Sequence, residues 1–261
     1  MVERLSPTVT VHSDPVSAAH ALAERLVALA ERARPRAGRF AVAVSGGATP
    51  EPMFRALAAG AAGTRRWDDW HVFWADERAV PPTDPRSNVG AARRLWLAPA
   101  AVPPEHVHPI RTDGTLDAAA ARYDAELRGF FGAAGGAATT TFDAVVLGVG
   151  PDGHTASLFP GAASLEETAR WVVGEAHPGA PPLVPRVTLT LPAIGRARTV
   201  LFLVCGVEKR AVVERIFADP RRGSRRAALP AARVTAQESV EWHLDQAAAL
   251  PPTGVGRAAG A

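Results

Sequence analysis

The strongest constraint on what this chain can fold into is a repeated pairing: a short apolar run that ends on a glycine-rich or acidic turn. Phe40–Val44 leads into Ser45-Gly46-Gly47-Ala48-Thr49-Pro50, and 71–74 leads into Ala75-Asp76-Glu77-Arg78. Residues 142–149 lead into Gly150-Pro151-Asp152-Gly153-His154, and 200–204 into Cys205-Gly206-Val207-Glu208-Lys209. Short runs rich in Val, Leu and Phe without polar alternation read as strands covered on both faces. Segments with helical apolar spacing lie between them. Residues 15–34 carry Val16, Ala19, Leu22, Leu26 and Leu29 on one face and are closed by Pro35 and Gly38. Further helices are expected over 50–59, 89–97, 117–131, 208–217 and 237–250, and further strand-like runs over 171–173 and 186–191. This alternation predicts an α/β fold, a doubly wound and largely parallel sheet flanked by helices in a single domain. Residues 132–141 read as a flexible surface loop and 251–261 as a disordered tail, leaving 1–250 as the domain.

Composition narrows the class. With 261 residues, 47% of them hydrophobic, the chain can bury a substantial core. The single cysteine, Cys205, excludes an internal disulfide framework and reads as a small buried hydrophobe, which fits a reducing cytoplasm. No apolar run approaches the ~18 residues that span a bilayer, and the N-terminus lacks the pattern of an export signal, so no membrane association is expected. The 29 Lys and Arg against 26 Asp and Glu leave a net charge of only +3. The one basic run, Arg221, Arg222, Arg225 and Arg226, has no interleaved aromatics and belongs to no recognisable nucleic-acid module; it reads as a solvated loop.

In an open α/β sheet, ligands bind outside the carboxyl ends of the strands, so the turns named above are where chemistry is expected. At 45–50, glycines allow close backbone approach, and free N–H groups with the Ser45 and Thr49 hydroxyls suit a phosphate; the alternative is a tight turn with Thr49 as helix cap. No Gly-Lys-Ser/Thr follows, so this is not a P-loop. At 76–78, Asp76 and Arg78 share strand parity and can face one crevice, where a guanidinium would bind an anion or stabilise an oxyanion, whereas Glu77 reads as a surface residue. Gly148-x-Gly150-x-x-Gly153, with Glu175 downstream, mimics a dinucleotide fingerprint. Phe159-Pro160-Gly161 interrupts the helix that fingerprint requires, and His154-Thr155 replaces its small apolar start. Lys209, the sole lysine, and Arg186 each stand at the edge of an apolar run. Lys209 reads as a phosphate contact rather than a Schiff base. His106-x-His108 has no matching third ligand, and the Asp76, Asp152 and His154 spacings fit no zinc pattern.

In order along the chain, Ser45-Gly46-Gly47-x-Thr49-Pro50, Asp76-Glu77-Arg78-x-Val80-Pro81, Ser87-Asn88, Gly148-x-Gly150-x-Asp152-Gly153-His154-Thr155-Ala156-Ser157-Leu158-Phe159-Pro160, Arg186-Val187-Thr188-Leu189 and Gly206-x-x-Lys209 together resemble the 6-phosphogluconolactonase family of the glucosamine-6-phosphate isomerase/deaminase superfamily. The resemblance runs over roughly residues 12–250. It implies a Rossmann-like fold without a nucleotide and hydrolysis of 6-phospho-D-glucono-1,5-lactone to 6-phospho-D-gluconate, the second oxidative step of the pentose phosphate pathway. It further implies His154 as general base on water and Asp152 as a residue that orients or polarises the site. Arg78, with Asp76 beside it, would steady the oxyanion or sugar hydroxyls, and Asn88 would be a further polar contact. Ser45, Gly46, Gly47, Thr49, Arg186 and Lys209 would hold the phosphate. No metal or organic cofactor is implied. The expected partner is a small phosphosugar lactone, with no nucleic acid and no membrane, in a cytoplasmic monomer or weak homodimer.

The deaminase branch of the same superfamily places glutamate before the proline of its Asp-Gly-His segment, where this chain has Phe159, and tyrosine after its Asp-Glu pair, where this chain has Arg78. Both departures favour the lactonase. A non-catalytic sugar-phosphate sensor would dispense with the base, yet His154 and Asp152 are both present, and no helix-turn-helix segment is evident. His243, beside Trp242 on the expected last helix, reads as a partly exposed surface histidine.

Overall fold

A computed structural model describes residues 6–60, 67–132, 142–225 and 227–249. Its first strand, β1 (Thr8–His12), precedes a helix, α1 (Pro15–Ala37), that is started by Asp14: one carboxylate oxygen accepts the N–H groups of Val16 and Ser17 at 2.9 Å, and Pro15 takes a position where no N–H is needed. The helix continues through Pro35 and ends at Gly38 in the left-handed conformation (φ 68°), three residues later than the sequence spacing indicates. β2 (Phe40–Val44) follows, then α2 (Glu51–Ala59), β3 (Trp70–Trp74) and β4 (Asp76–Arg78). α3 (Asn88–Ala92) runs into a π-helical turn, Arg93–Leu97, before β5 (Val107–His108) and α4 (Leu116–Gly132). The second half contains β6 (Ala144–Leu147), β7 (Val172–Glu175), β8 (Arg186–Leu189), α5 (Leu191–Ile194), β9 (Thr199–Val204), α6 (Arg210–Ala218), α7 (Pro230–Arg233) and β10 (Ser239–Asp245).

Seven strands form one sheet in the order β1-β10-β9-β6-β2-β3-β5, and every neighbouring pair in it is parallel. The doubly wound, largely parallel architecture is therefore present in a single domain. From β2 the chain moves outward through β3 and β5, returns to β6 on the other side of β2, and moves outward again through β9 and β10. The switch point lies between β2 and β6, and the turns after those two strands are 45–50 and 148–154. Open sheets of this kind leave their ligand crevice at that point.

Two features depart from the expected pattern. β4, β8 and β7 form a separate three-stranded antiparallel sheet in which Asp76 pairs with Thr188 and Arg78 with Arg186. β3 thus hands over to a second sheet after Ala75, and Asp76 and Arg78 face the crevice from there. The expected helix over 237–250 is instead a strand, β10, held on both sides by β9 and β1. Its Val240, Trp242 and Leu244 alternate with Glu241, His243 and Asp245, a period of two that local composition masks. Trp242 stacks on Phe202 of β9 with ring centroids 3.9 Å apart. β1, which the sequence reading passed over, closes that edge.

β2, β6 and β9 are buried along their whole length, so the central sheet has helices on both faces and the core is continuous with the crevice floor. Among the described residues, no helix is long and apolar enough to cross a membrane. The expected loop over 132–141, beyond Gly132, and the tail 251–261 lie outside the described residues. In the basic segment Arg221 pairs with Asp219, Arg222 donates to the Phe217 carbonyl and Arg225 meets Glu166 at 3.3 Å; Arg226 is not among the described residues.

Candidate active site

The crevice is a cavity of about 510 Å³ lined by Ser45, Gly46, Thr49, Asp76, Arg78, Gly150, Asp152, His154, Arg186, Cys205 and Lys209, among others. Nine of the eleven residues that the resemblance assigns to the site therefore converge on one space, although the first and last of them, Ser45 and Lys209, are 164 positions apart. The two exceptions are Gly47 and Asn88. Gly47 sits on the exposed outer side of its turn with φ 100°, so it shapes the turn without lining the cavity. Asn88 is buried behind the turn.

His154 and Asp152 form the centre of the site. His154 Nδ1 lies 2.6 Å from Asp152 Oδ1, and the same oxygen accepts the His154 backbone N–H at 3.1 Å. A carboxylate accepts, so Nδ1 carries the imidazole proton and Nε2 is the basic nitrogen. The turn is built to hold this pair. Gly150 N–H donates to the His154 carbonyl and Gly153 N–H to the Gly150 carbonyl. A Cβ on Gly150 would lie 2.1 Å from His154 Nδ1 and 2.6 Å from Asp152 Oδ1, so only glycine permits the arrangement. Burial holds the His154 pKa below its ordinary value of 6.5; Asp152 and Asp76 pull the other way, and Arg186 adds to the lowering.

The opposite wall comes from β4. Asp76 is buried, with Oδ2 accepting from the Ser157 hydroxyl at 2.7 Å and Oδ1 from Asn88 Nδ2 at 3.3 Å; Asn88 Nδ2 also donates to the Asp76 carbonyl at 2.8 Å. Asn88 thus positions Asp76. It also backs the glycine turn, since a Cβ on Gly46 would lie 2.1 Å from its Oδ1.

Glu77, expected at the surface, is buried instead. Its carboxylate accepts the N–H groups of Arg78, Asn88 and Val89 at 2.7 to 2.8 Å and the Ser87 hydroxyl at 2.9 Å. Alternation along β4 sends Glu77 away from the cavity, where it caps the start of α3 with a full set of donors. No pattern within the Asp-Glu-Arg triplet distinguishes that role from solvent exposure. Ser157 was likewise not assigned a role from the sequence; a polar residue inside Thr-Ala-Ser-Leu-Phe was its only signal.

Cations complete the lining. Arg186 is buried, with Nη2 donating to the Ala180 and Pro182 carbonyls at 2.9 and 3.0 Å, and desolvation lowers its pKa from the ordinary arginine value. Arg78 is tied to the Arg86 carbonyl through Nη1 at 2.6 Å. Among the described residues, Ser45 Oγ, Arg78 Nε and Arg186 Nε of the cavity lining are buried without a hydrogen-bond partner, unsatisfied polar atoms that suit a polar ligand. Thr49 does not cap α2, whose cap position is Pro50 with no side-chain bond. Burial pushes the Cys205 thiol up to about 12, so the cavity holds no thiolate nucleophile. Lys209 ends a short turn after β9 and lines the cavity with Arg78 and Arg186.

His243 is corrected from an exposed helical residue to a buried strand residue. Its Nδ1 lies 3.1 Å from His12 Nε2, and burial pushes its pKa down to about 4. His106 and His108 gather with His71, whose Nδ1 lies 3.1 Å from His108 Nε2. Among the described residues, no group of three or more His, Cys, Asp or Glu is arranged to hold a metal ion.

Residues 13–242 match the family described as glucosamine-6-phosphate isomerases/6-phosphogluconolactonase. The chain is 39% identical over 212 residues to a 6-phosphogluconolactonase of Nostoc sp., covering 81% of this chain and 84% of that protein. It is 36% identical over 259 residues to a 6-phosphogluconolactonase of Mycobacterium leprae, covering 96% and 100%. Among solved structures, a 6-phosphogluconolactonase from Trypanosoma brucei has 30% identity and a TM-score of 0.76, with 94% and 98% of the two chains covered. One from Thermotoga maritima has 28% identity and a TM-score of 0.77, with 92% and 100% covered.

Proposed function

Since the chain belongs to the glucosamine-6-phosphate isomerase/6-phosphogluconolactonase family, we propose that its cavity hydrolyses 6-phospho-D-glucono-1,5-lactone to 6-phospho-D-gluconate with water activated by His154. The observation that carries this reading is the His154–Asp152 pair at 2.6 Å, set on the rim of a cavity that also holds three cations. His154 Nε2 removes a proton from water as its oxygen bonds to the lactone carbonyl carbon. The tetrahedral oxyanion forms beside Arg78, whose guanidinium supplies positive charge where negative charge develops. Collapse breaks the bond to the ring oxygen, and the imidazolium returns its proton to that oxygen. Water is thereby added across the ester bond with no net proton gain at His154. A positioned general base of this type is worth ~10²–10⁴ in rate.

The phosphate is remote from the reacting carbon and serves to position it. Ser45, the Gly46 backbone, Thr49, Arg186 and Lys209 offer hydroxyls, an N–H and charge for that end, while Gly47 holds the turn. Asp76 accepts from sugar hydroxyls or orients Arg78, and Asn88 acts through Asp76. The cavity is lined within one chain, so the proposed reaction, in a monomer or a weak homodimer, calls for no residue of a second copy. A single buried free thiol, Cys205, is in keeping with a cytoplasmic enzyme.

The test is lactone hydrolysis, with the lactone generated in situ and the product followed by 6-phosphogluconate dehydrogenase, against the spontaneous background. The parent should exceed background clearly and His154→Ala should lose that acceleration by ~10² or more. Full activity in the folded variant would remove His154 as the base; no acceleration by the folded parent would remove the assignment.

A further inference from the structure

Phe159 is buried at 2% exposure and is in contact with two groups of the site at once. Its ring centroid lies 4.7 Å from that of His154, tilted by 45°, and 5.3 Å from the guanidinium carbon of Arg186. It also packs on Gly179, where an added Cβ would come within 3.4 Å of Phe159 Cδ1. Gly179 borders both the catalytic cavity and a neighbouring cavity of about 730 Å³, and the lining of that second cavity includes Phe159 itself together with Glu166, Glu167 and Glu175. The ring therefore stands between the catalytic histidine and a second, polar-lined space that also holds Arg170 and His177.

Resting on the lactonase reading above, we propose that Phe159 is a positioning residue for this reaction: its apolar bulk keeps water in the neighbouring cavity from His154, and its π face fixes Arg186. The groups facing His154 are Asp152 on its own turn, Asp76 and Arg78 from β4, Arg186 from β8 and Lys209 after β9. The two carboxylates favour the imidazolium and the cations oppose it. Burial is the largest influence and lowers the His154 pKa, and the Phe159 ring packs against the imidazole at 4.7 Å. A guanidinium held over an aromatic ring keeps its orientation while it is partly desolvated, as an anion-binding Arg186 requires.

Three variants separate the two roles. Phe159→Ala opens the wall; Phe159→Leu keeps an apolar wall and removes the π face; Phe159→Gln, similar in length but polar, stands in should the alanine variant fail to fold. Folding is checked by circular dichroism. His154 is titrated by NMR of its ring carbons, assigned by the signal missing in His154→Gln, and kcat and KM are followed with pH.

In Phe159→Ala the His154 midpoint should rise toward its ordinary value, carrying the acid limb of kcat/KM with it. In Phe159→Leu the midpoint should stay at the parent's value while KM rises about 3-fold at unchanged kcat, from the loss of the cation–π contact. A folded Phe159→Ala or Phe159→Gln with the parent's midpoint, or a Phe159→Leu with the parent's KM, would overturn the proposal. A midpoint that rises while the parent shows no lactonase activity would remove the lactonase reading and leave the effect of Phe159 on His154 standing.

Discussion

The Ser157 hydroxyl donates to Asp76 Oδ2 at 2.7 Å across 81 positions of sequence. It joins the turn that carries His154 to the antiparallel strand that carries Arg78. Ser157 N–H donates in turn to Thr188 Oγ1 at 3.1 Å, so β8, which carries Arg186, is tied to the same point. The two walls of the cavity are registered by hydrogen bonds between buried groups, where each bond is costly to leave unmade.

Ser157→Ala is therefore expected to leave Asp76 with one partner fewer. A bond from a neutral donor to a buried carboxylate contributes about 1.5–3 kcal/mol. Chemical denaturation should report a loss in that range, and kcat/KM should fall about 10-fold while the circular dichroism spectrum stays that of the parent. Unchanged activity would mean that Asp76 holds its place without Ser157.

Gly150→Ala tests the turn itself. The new methyl would occupy the space of His154 Nδ1, so the His154–Asp152 pair must separate or the turn must move. Misplacement of a reacting group by about 1 Å costs ~10² in rate, and kcat should drop by that factor with the secondary structure retained. Parent activity would show that the pair is not needed in its present geometry.

Glu77→Gln addresses the buried carboxylate that the triplet Asp-Glu-Arg does not reveal. Four donors converge on Glu77, and an amide would turn its own N–H groups toward some of them. Loss of one satisfied partner and the clash between donors should cost about 3 kcal/mol of unfolding free energy in a urea titration. A cost below about 0.5 kcal/mol, the range of ordinary surface substitutions, would show that the donors around Glu77 do not require its carboxylate.

Buried histidines contribute to the response of stability to acid. Burial pushes both His71 and His243 down to about 4, with neighbouring histidines adding to the effect, and lowers His154 as well. In the unfolded chain these groups bind protons near 6.5. Between about 6.5 and 4 the unfolded state holds more protons than the folded state, so stability is fully present above 6.5 and is lost as pH falls through that window. Urea midpoints at pH 7, 6 and 5 should decline, and His243→Gln should make the decline shallower. An equal decline in that variant would exclude His243 as a contributor.

Much of the scaffold was legible from the sequence because it depends on local pattern. Fully apolar runs at Phe40–Val44 and 142–149 specify strands covered on both faces, and chain order with right-handed crossovers makes them parallel neighbours. The residues that end those runs then fall at the carboxyl edge, which is why Ser45, Thr49, Asp152 and His154 could be named from their positions. Arg186 and Lys209 were likewise named from their places at the edges of apolar runs, and the resemblance of ordered motifs gave both a place at the phosphate.

Burial and pairing across distant segments belong to the tertiary structure. Residues 239–245 became a strand because β9 and β1 offer unpaired backbone on either side, a gain that local helix propensity does not outweigh. Glu77 and Asp76 are adjacent in sequence and face opposite ways, one into a set of backbone donors and one into the cavity. Asn88 supports Asp76 rather than lining the cavity, and Phe159 stands behind His154, because those places exist only once the antiparallel sheet has folded against the parallel one. Local pattern fixes which face of its own element a side chain takes; what covers that face is set by parts of the chain far away in sequence, and that is what decided these roles.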